Sequence, residues 1–297
     1  MKIQIIFLGT GQAIPTATRN HSSILLKYKN ENILIDCGEG TQRQFRKAKI
    51  NPCKLTKILI THWHGDHVLG LPGLLQTLAL NNYSKQLEIY IPKGTKHFID
   101  LIFKIFVFKG KINYKIYEKQ GKIFENQDFI IQALPMIHGA KCLAYSFIEK
   151  DKLKIRKEKL EKLKIKGEII KELANGKNIV WQGKKILAKD LTYLQKGKKI
   201  SFIFDTSVNK NIIKLAKDSD LLISEATYTE EEADLAKNYC HLTAGQAAKL
   251  AKEANAKKLI LTHISQRHEN NKEKLLKEAR KFFKNTSVAE DLMRVEI

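Results

Sequence analysis

The chain is short of acid, of cysteine and of proline, and it has no apolar run long enough to cross a membrane. The last of these excludes a transmembrane helix. Its four cysteines, Cys37, Cys53, Cys142 and Cys240, are scattered without a CxxC pair or a framework spacing. That argues against a disulfide scaffold or a cysteine-built zinc motif, and reduced thiols in the cytoplasm are the simplest account. The apolar start, Met1 to Gly9, lacks a signal cleavage site and runs into a Gly-rich turn, so it reads as a first strand. No internal repeat of solenoid length is present. The shortage of acid is the most informative absence: 31 Asp+Glu stand against 53 Lys+Arg, for a net charge of +22. Such an excess attracts polyanions, of which nucleic acid is the commonest. A chain rich in Lys, Ile and Asn and poor in Pro is also what a Lys-rich proteome produces with no nucleic-acid role, and the two readings separate on whether the charge is localised.

What is present is enough for a large core: 297 residues, 43% hydrophobic, as one elaborated domain or two. Strand-like segments fall at 2–8, 23–28, 32–36, 57–61 and 87–91, and helical ones at 40–48 and 71–81. Further strands are expected near 129–134, 143–148, 201–204, 220–224 and 258–262, with amphipathic helices near 209–217, 230–238 and 243–254. Strands alternating with covering helices give an α/β layered architecture. Residues 150–199 break this pattern. They hold 17 Lys/Arg against 6 Asp/Glu, half of the net charge in a sixth of the chain. So basic a segment reads as a charged helix or loose arm protruding from the core.

The densest chemistry lies in Thr61-His62-Trp63-His64-Gly65-Asp66-His67. Three imidazoles and a carboxylate within six positions suit Zn²⁺ or a similar divalent ion; the alternative is a polar loop with chance histidines. The apolar run Lys57-Ile58-Leu59-Ile60 places these side chains at the C-terminal end of a buried strand, with Gly65 easing the turn. A binuclear centre needs about seven ligands, so more are sought at other strand ends. His138, Asp205 and His263 each close an apolar run. Singly they are ambiguous, and a lone histidine such as His138 is more often structural. An Asp ending an apolar strand, however, is costly unless paired or bound to metal, and strand ends form the crevice where ligands collect in layered α/β sheets.

The order HxHxDH, then His, Asp and His resembles the metallo-β-lactamase superfamily. The resemblance implies a four-layer αββα sandwich, one domain over 1–297, with a dinuclear site at the sheet edge. It implies His62, His64 and His138 on one metal, Asp66, His67 and His263 on the other, and Asp205 bridging. Phe7-Leu8-Gly9-Thr10-Gly11, Pro15-x-x-x-Arg19-Asn20, Asp36-Cys37-Gly38-Glu39-Gly40-Thr41-Gln42, Gly70-Leu71-Pro72-Gly73-Leu74, Glu225-Ala226-Thr227, His241-Leu242-Thr243 and Leu261-Thr262-His263 are similar to motifs of the ribonuclease Z family. That family trims the 3′ trailer from precursor tRNA. Two departures stand out: Glu168 follows Gly167 where the family's arm has Gly-Pro, and Ser224 occupies the first position of the HEAT motif.

The resemblance implies two Zn²⁺ per subunit, with Mn²⁺ or Mg²⁺ as alternatives, and a homodimer. It makes 150–199 an inserted flexible arm that grips tRNA, with Lys162, Lys164, Lys166, Lys171 and Lys177 among its contacts, and it gives Arg19 and Asn20 a place at the acceptor end. Asp66 would orient the attacking water, His241 would act as general acid, and Glu225 would orient His241. His21 and His268 are expected to be supporting or surface residues, and Trp63 a packing or base-contact residue. Two other functions compete: a small-molecule phosphodiesterase or arylsulfatase-like hydrolase on the same scaffold, and a non-catalytic RNA-binding protein.

Overall fold

Two seven-stranded mixed sheets face one another in the computed structural model, which describes residues 2–107 and 112–297; Met1 lies outside them. The first sheet runs, in spatial order, Arg294–Glu296, Gln4–Gly9, Ser23–Tyr28, Glu31–Ile35, Lys57–Leu59, Gln86–Ile91 and Asn113–Glu118. The second runs Thr286–Val288, Leu259–Thr262, Leu221–Glu225, Lys199–Ile203, Cys142–Glu149, Phe129–Met136 and Gly121–Glu125. Within each sheet one half pairs parallel and the other antiparallel.

Strand periodicity sorts the side chains into layers. Ile5 and Phe7 join Phe129, Tyr145, Phe202 and Ile223 in a core between the sheets. Their neighbours Ile6 and Leu8 point the other way, against Phe45, Leu71, Leu74 and Leu78 of the helices Thr41–Lys47 and Leu71–Leu80. On the outer face of the second sheet Ile203, Leu222 and Leu261 pack under helices Lys210–Ala216, Ala244–Glu253 and Lys272–Arg280. The result is helix, sheet, sheet, helix. Strands buried on both faces read as near-continuous apolar runs, which is why the central strands are visible in the sequence. The strands Asn113–Glu118, Gly121–Glu125, Thr286–Val288 and Arg294–Glu296 and the helix Lys96–Ile105 lie outside the expected segments.

At one end the sheets are tied together beside the His-rich loop. Leu143 N donates to Thr61 O at 2.9 Å, and Tyr145 Oη donates to Ile60 O at 2.6 Å. Two glycines of the motif segments permit a second close approach. A Cβ on Gly38 would lie 2.4 Å from Asp66 O, and one on Gly70 would lie 2.0 Å from Gly38 O.

The basic segment differs from the expected loose arm. Strands Lys152–Ile155 and Thr192–Gln195 pair as a two-stranded stem, and Ile179–Trp181 pairs with Lys184–Ile186. Short helices at Lys157–Lys162, Ile169–Ala174 and Ala188–Leu191 close around Leu160, Ile165, Leu173, Ile179, Ala188 and Leu191. The segment thus has an apolar cluster of its own, separate from the main cores. Its lysines point outward: Lys162, Lys164, Lys166, Lys171 and Lys177 are all exposed, and of these only Lys171 makes an ion pair among the described residues, with Glu168. Gly167 takes a left-handed φ of 86°, so the turn that lacks the family's proline is made by glycine alone.

Candidate metal centre

All seven proposed ligands converge at the end of the sandwich where the sheets are tied. Each follows a strand's C-terminal end: His62 and His64 in the loop after Lys57–Leu59, Asp66 and His67 in the helical turn Gly65–Val68 that continues it, His138 after Phe129–Met136, Asp205 after Lys199–Ile203 and His263 after Leu259–Thr262. Two groups of donor atoms contain these seven residues, His62, His64, His138 and Asp205 in one and Asp66, His67 and His263 in the other; a third, overlapping group joins His241 to Asp205 and His263.

In the first group His64 Nδ1 lies 3.0 Å from His62 Nε2 and 3.1 Å from His138 Nε2. Asp205 Oδ2 faces the same space, 3.6 Å from His62 Nε2 and 3.7 Å from His138 Nε2. In the second group His67 Nε2 and His263 Nε2 are 3.2 Å apart, and Asp66 Oδ2 is 3.4 and 3.3 Å from them. Asp205 Oδ1 turns to this group, at 3.4 Å from His67 Nε2 and 3.2 Å from His263 Nε2. One carboxylate therefore presents one oxygen to each group. Oδ1 of Asp205 is buried without a hydrogen-bond partner among the described residues. A buried charged oxygen left in that way is costly, and a cation is the partner that satisfies it.

The donor chemistry fits zinc. Five imidazoles and two carboxylates make a borderline set that suits Zn²⁺ better than Mg²⁺, which favours oxygen throughout. Electrostatics agree. Burial, reinforced by the neighbouring His67 charge, holds His62 well below the usual histidine range, and burial lowers His138 too, so both present free lone pairs. At His67 burial is outweighed by the carboxylates of Asp205, Asp66 and Asp36, which hold the ring well above its usual range. Those buried carboxylates demand positive charge at their centre, and a divalent ion answers the same demand.

Behind the donors, each ligand ring but one is oriented by a bond to its far nitrogen, as is usual for metal-binding histidines. His67 Nδ1 meets Asp36 Oδ2 at 2.7 Å, His62 Nδ1 meets Thr61 Oγ1 at 3.0 Å, His138 Nδ1 meets Cys240 O at 3.1 Å and His263 Nδ1 meets Thr227 Oγ1 at 3.0 Å. His64 is the exception and the exposed member of the set. None of these partners follows from residue type and spacing alone. The one available signal was Asp36, a carboxylate closing the apolar run Ile33 to Ile35. Asp36 and His263 both adopt left-handed backbone, φ 56° each, uncommon for residues with a Cβ.

Glu225 and His241 stand beside the ligands. Glu225 is fully buried; its Oε1 accepts from Thr206 N at 2.7 Å, and its Oε2 from Thr227 Oγ1 at 2.7 Å and His241 Nδ1 at 3.0 Å. The opposite nitrogen of His241 points to the centre, 4.0 Å from Asp205 Oδ2. Burial disfavours charge on this ring, yet Glu225 outweighs it and raises the imidazole to about 9. Ser224, the departure from the family motif, is buried and bonds locally to Glu225 O.

Arg19 and Asn20, expected at the acceptor end, are bonded within the protein. Arg19 is 5% exposed, and its guanidinium donates to Thr10 Oγ1 at 2.7 Å and Ala289 O at 2.8 Å. Asn20 gives its side-chain amide to Glu39 O and its backbone N–H to Asp291 Oδ2. Both brace the loop after the first strand, and that loop in turn donates Ala13 N to Asp66 Oδ2 at 2.9 Å. His21 and His268 are supporting residues, bonded to Ala13 O and to Glu232.

The fold and the chain's relatives agree. The chain is 20% identical to the metallo-β-lactamase fold protein YhfI of Bacillus subtilis, with a TM-score of 0.72 and both chains fully covered. Human tRNase Z, short form, superposes with a TM-score of 0.72 at 30% identity, over 98% of either chain. A family model described as anti-Pycsar protein Apyc1 matches residues 3–101, about the first third. A ribonuclease Z of Bacillus cereus is 39% identical over 98% of each chain. With likeness of that depth running from end to end, the chain belongs to the ribonuclease Z family.

Proposed function

We propose that this ribonuclease Z is a zinc-dependent endoribonuclease that removes the 3′ trailer from precursor tRNA, cutting beyond the discriminator base to leave a 3′-hydroxyl on the tRNA. The observation that carries this reading is the pair of imidazole groups joined through the two oxygens of Asp205, on a chain with full-length ribonuclease Z relatives. His62, His64 and His138 would hold one ion, Asp66, His67 and His263 the second, and Asp205 both. That donor count supports two Zn²⁺ per subunit. Divalent ions so bound supply positive charge for the non-bridging phosphate oxygens and acidify water.

The protein's own groups do the rest. Asp66, held by Ala13 N, fixes the edge of the centre where water is oriented. With Glu225 on its other nitrogen raising the ring to about 9, His241 would carry a proton on Nε2 facing the centre and so is placed to protonate the departing ribose 3′-oxygen. The outward lysines of 150–199 bind the tRNA body through phosphate; such contacts add affinity and salt dependence but no chemistry. The family resemblance supports a homodimer. A cytoplasmic setting fits the four free cysteines, and no helix among the described residues is long and apolar enough to cross a membrane.

The test is direct: zinc-loaded protein is incubated with a tRNA carrying a 3′ trailer, and the cut is mapped. Cleavage just beyond the discriminator base is expected. Turnover of small phosphodiesters alone, or binding without cleavage, would replace this reading by the small-molecule hydrolase or the RNA-binding protein.

A further inference from the structure

Beyond His64 the metal centre opens into a cleft of about 380 Å³ whose lining includes Trp63, His64, Thr95, His97, Phe98 and Lys141. Its size is at the small end of ligand pockets and suits one nucleotide. Trp63 lies between two ligands in the sequence, and its ring is 5.0 Å from that of Phe98 at 40°. His97 continues the series, with its ring 4.1 Å from Phe98 at 41°. Three rings therefore lead away from the exposed ligand. Phe98 is 37% exposed, and His97 and Lys141 are exposed as well, so the wall is apolar, aromatic and reachable.

The wall is also fixed in place. Glu118 accepts from Thr95 N at 2.8 Å and from Lys96 N at 2.9 Å, and Thr95 Oγ1 donates to Pro92 O at 2.6 Å. These bonds anchor the first turn of the helix that carries Phe98, so little ordering is left to do on binding. Lys141 lies across Gly94: its Nζ is 2.8 Å from where a Cβ on that residue would sit, and Gly94 has a left-handed φ of 80° that favours glycine. An exposed ammonium thus stands at the rim of an aromatic cleft that begins at a metal ligand. Planar rings beside a cation are what single-stranded nucleic acid binds, base on ring and phosphate on cation.

We infer that this cleft is a nucleobase subsite that stacks the first nucleotide of the trailer, on the 3′ side of the cut. The inference rests on the endonuclease reading above. The side is chosen by His241, which meets the centre beside His263 and Tyr228, with His138 touching both it and His64. The nucleotide that departs through its 3′-oxygen belongs on that flank, whereas the cleft begins at His64. Phosphate stays with the trailer, and Lys141 stands where the next phosphate passes. Every base has a π-face, so such a subsite accepts trailers of any sequence, with purines favoured over pyrimidines by their larger stacking area.

Single-turnover cleavage of precursor tRNA by the zinc-loaded protein tests this, with adenosine or an abasic ribose at the first trailer position and, separately, an abasic ribose at the discriminator. Removing the trailer base is expected to slow the wild-type protein by about 10- to 100-fold, the range of one lost stacking contact. In Phe98→Ala that penalty should shrink to within about twofold, Phe98→Tyr should restore it, and the discriminator penalty should be the same in all three. Should Phe98→Ala fail to fold, the wild-type comparison alone decides. The subsite is overturned if wild type cuts the abasic trailer at the full rate, if Phe98→Ala slows both substrates equally, or if its effect couples to the discriminator. Absence of any cut in the unmodified precursor would overturn the endonuclease reading, and this subsite with it.

Discussion

Asp36→Asn isolates the electrostatic support of the metal centre from the ligands themselves. Asp36 is fully buried and accepts three bonds: Thr61 N on Oδ1 at 2.7 Å, and Thr61 Oγ1 and His67 Nδ1 on Oδ2, both at 2.7 Å. An asparagine has one accepting oxygen. If its oxygen faces Thr61 N, its NH₂ faces the nitrogen through which His67 donates, and His67 must move its proton to Nε2, where the lone pair is needed. If the amide turns over, its NH₂ opposes Thr61 N instead. Either way one donor is stranded in the core, for about 1–3 kcal/mol. Loss of a group that orients a ligand histidine typically costs 10- to 100-fold in metal affinity. The expected outcome is one zinc bound as in wild type and the second weakened by about 10- to 100-fold, read by competition with a chromophoric chelator. The zinc-dependent gain in Tm should fall in parallel. Two zinc ions held at wild-type affinity would refute the proton-placement argument; loss of both with the fold intact would show that Asp36 serves the whole centre.

Other perturbations separate the remaining parts. Asp205→Asn weakens the one carboxylate facing both groups, so zinc content should fall at both sites together, whereas His64→Ala should spare the second; metal analysis after dialysis distinguishes them. Deleting about residues 152–196 removes the exposed lysines while leaving the centre, so KM for precursor tRNA should rise by about 10-fold or more and its salt dependence flatten; equal loss of small phosphodiester hydrolysis would contradict this. Asp220 holds Lys198, Lys257 and Lys199 N where the chain leaves that segment; burial works against its charge, but these donors outweigh it and lower its pKa. Because the folded value lies below the unfolded one of about 3.9, its contribution is complete above that pH and is lost as pH falls through the folded value. Wild-type Tm should therefore drop more steeply than that of Asp220→Asn below about pH 4; parallel curves would rule this out.

Legibility in the sequence followed the range of the interactions. The central strands announced themselves because both faces are buried, while the edge strand Asn113–Glu118, exposed or half-buried throughout, carried no such run. The ligands were legible because imidazole and carboxylate at the ends of apolar strands have few other uses. Their orienting partners were not, since a threonine hydroxyl or a Cys240 carbonyl looks like any other until the chain has folded. Arg19 shows what a motif leaves out: the resemblance gave it a place at the acceptor end, while its bond to Ala289 O, 270 positions away, braces the loop that donates Ala13 N to Asp66. In the basic segment, 17 Lys/Arg drew attention away from six apolar residues whose spacing is neither helical nor strand-like. They are enough to close a small cluster.

That cluster bears on how the protein divides its work. The segment joins the sandwich through a stem of two strands, and Lys152 at its base reaches Tyr28 Oη at 2.7 Å, with Asp151 accepting from Gly197 N at 2.9 Å. A chain with no apolar cluster would lose the conformational entropy of every basic residue each time it gripped RNA. A folded tip with outward lysines has lost that entropy in advance, so under the proposed function its binding energy would go into positioning the substrate. The metal centre follows the same logic at higher density: carboxylates at Asp36, Asp66 and Asp205 are buried at the cost of folding stability and held by donors that do not move, and the charge they call for is supplied at the point where phosphate must sit. In both places the sequence accepts a local penalty for groups already arranged, which is what the proposed function asks of them.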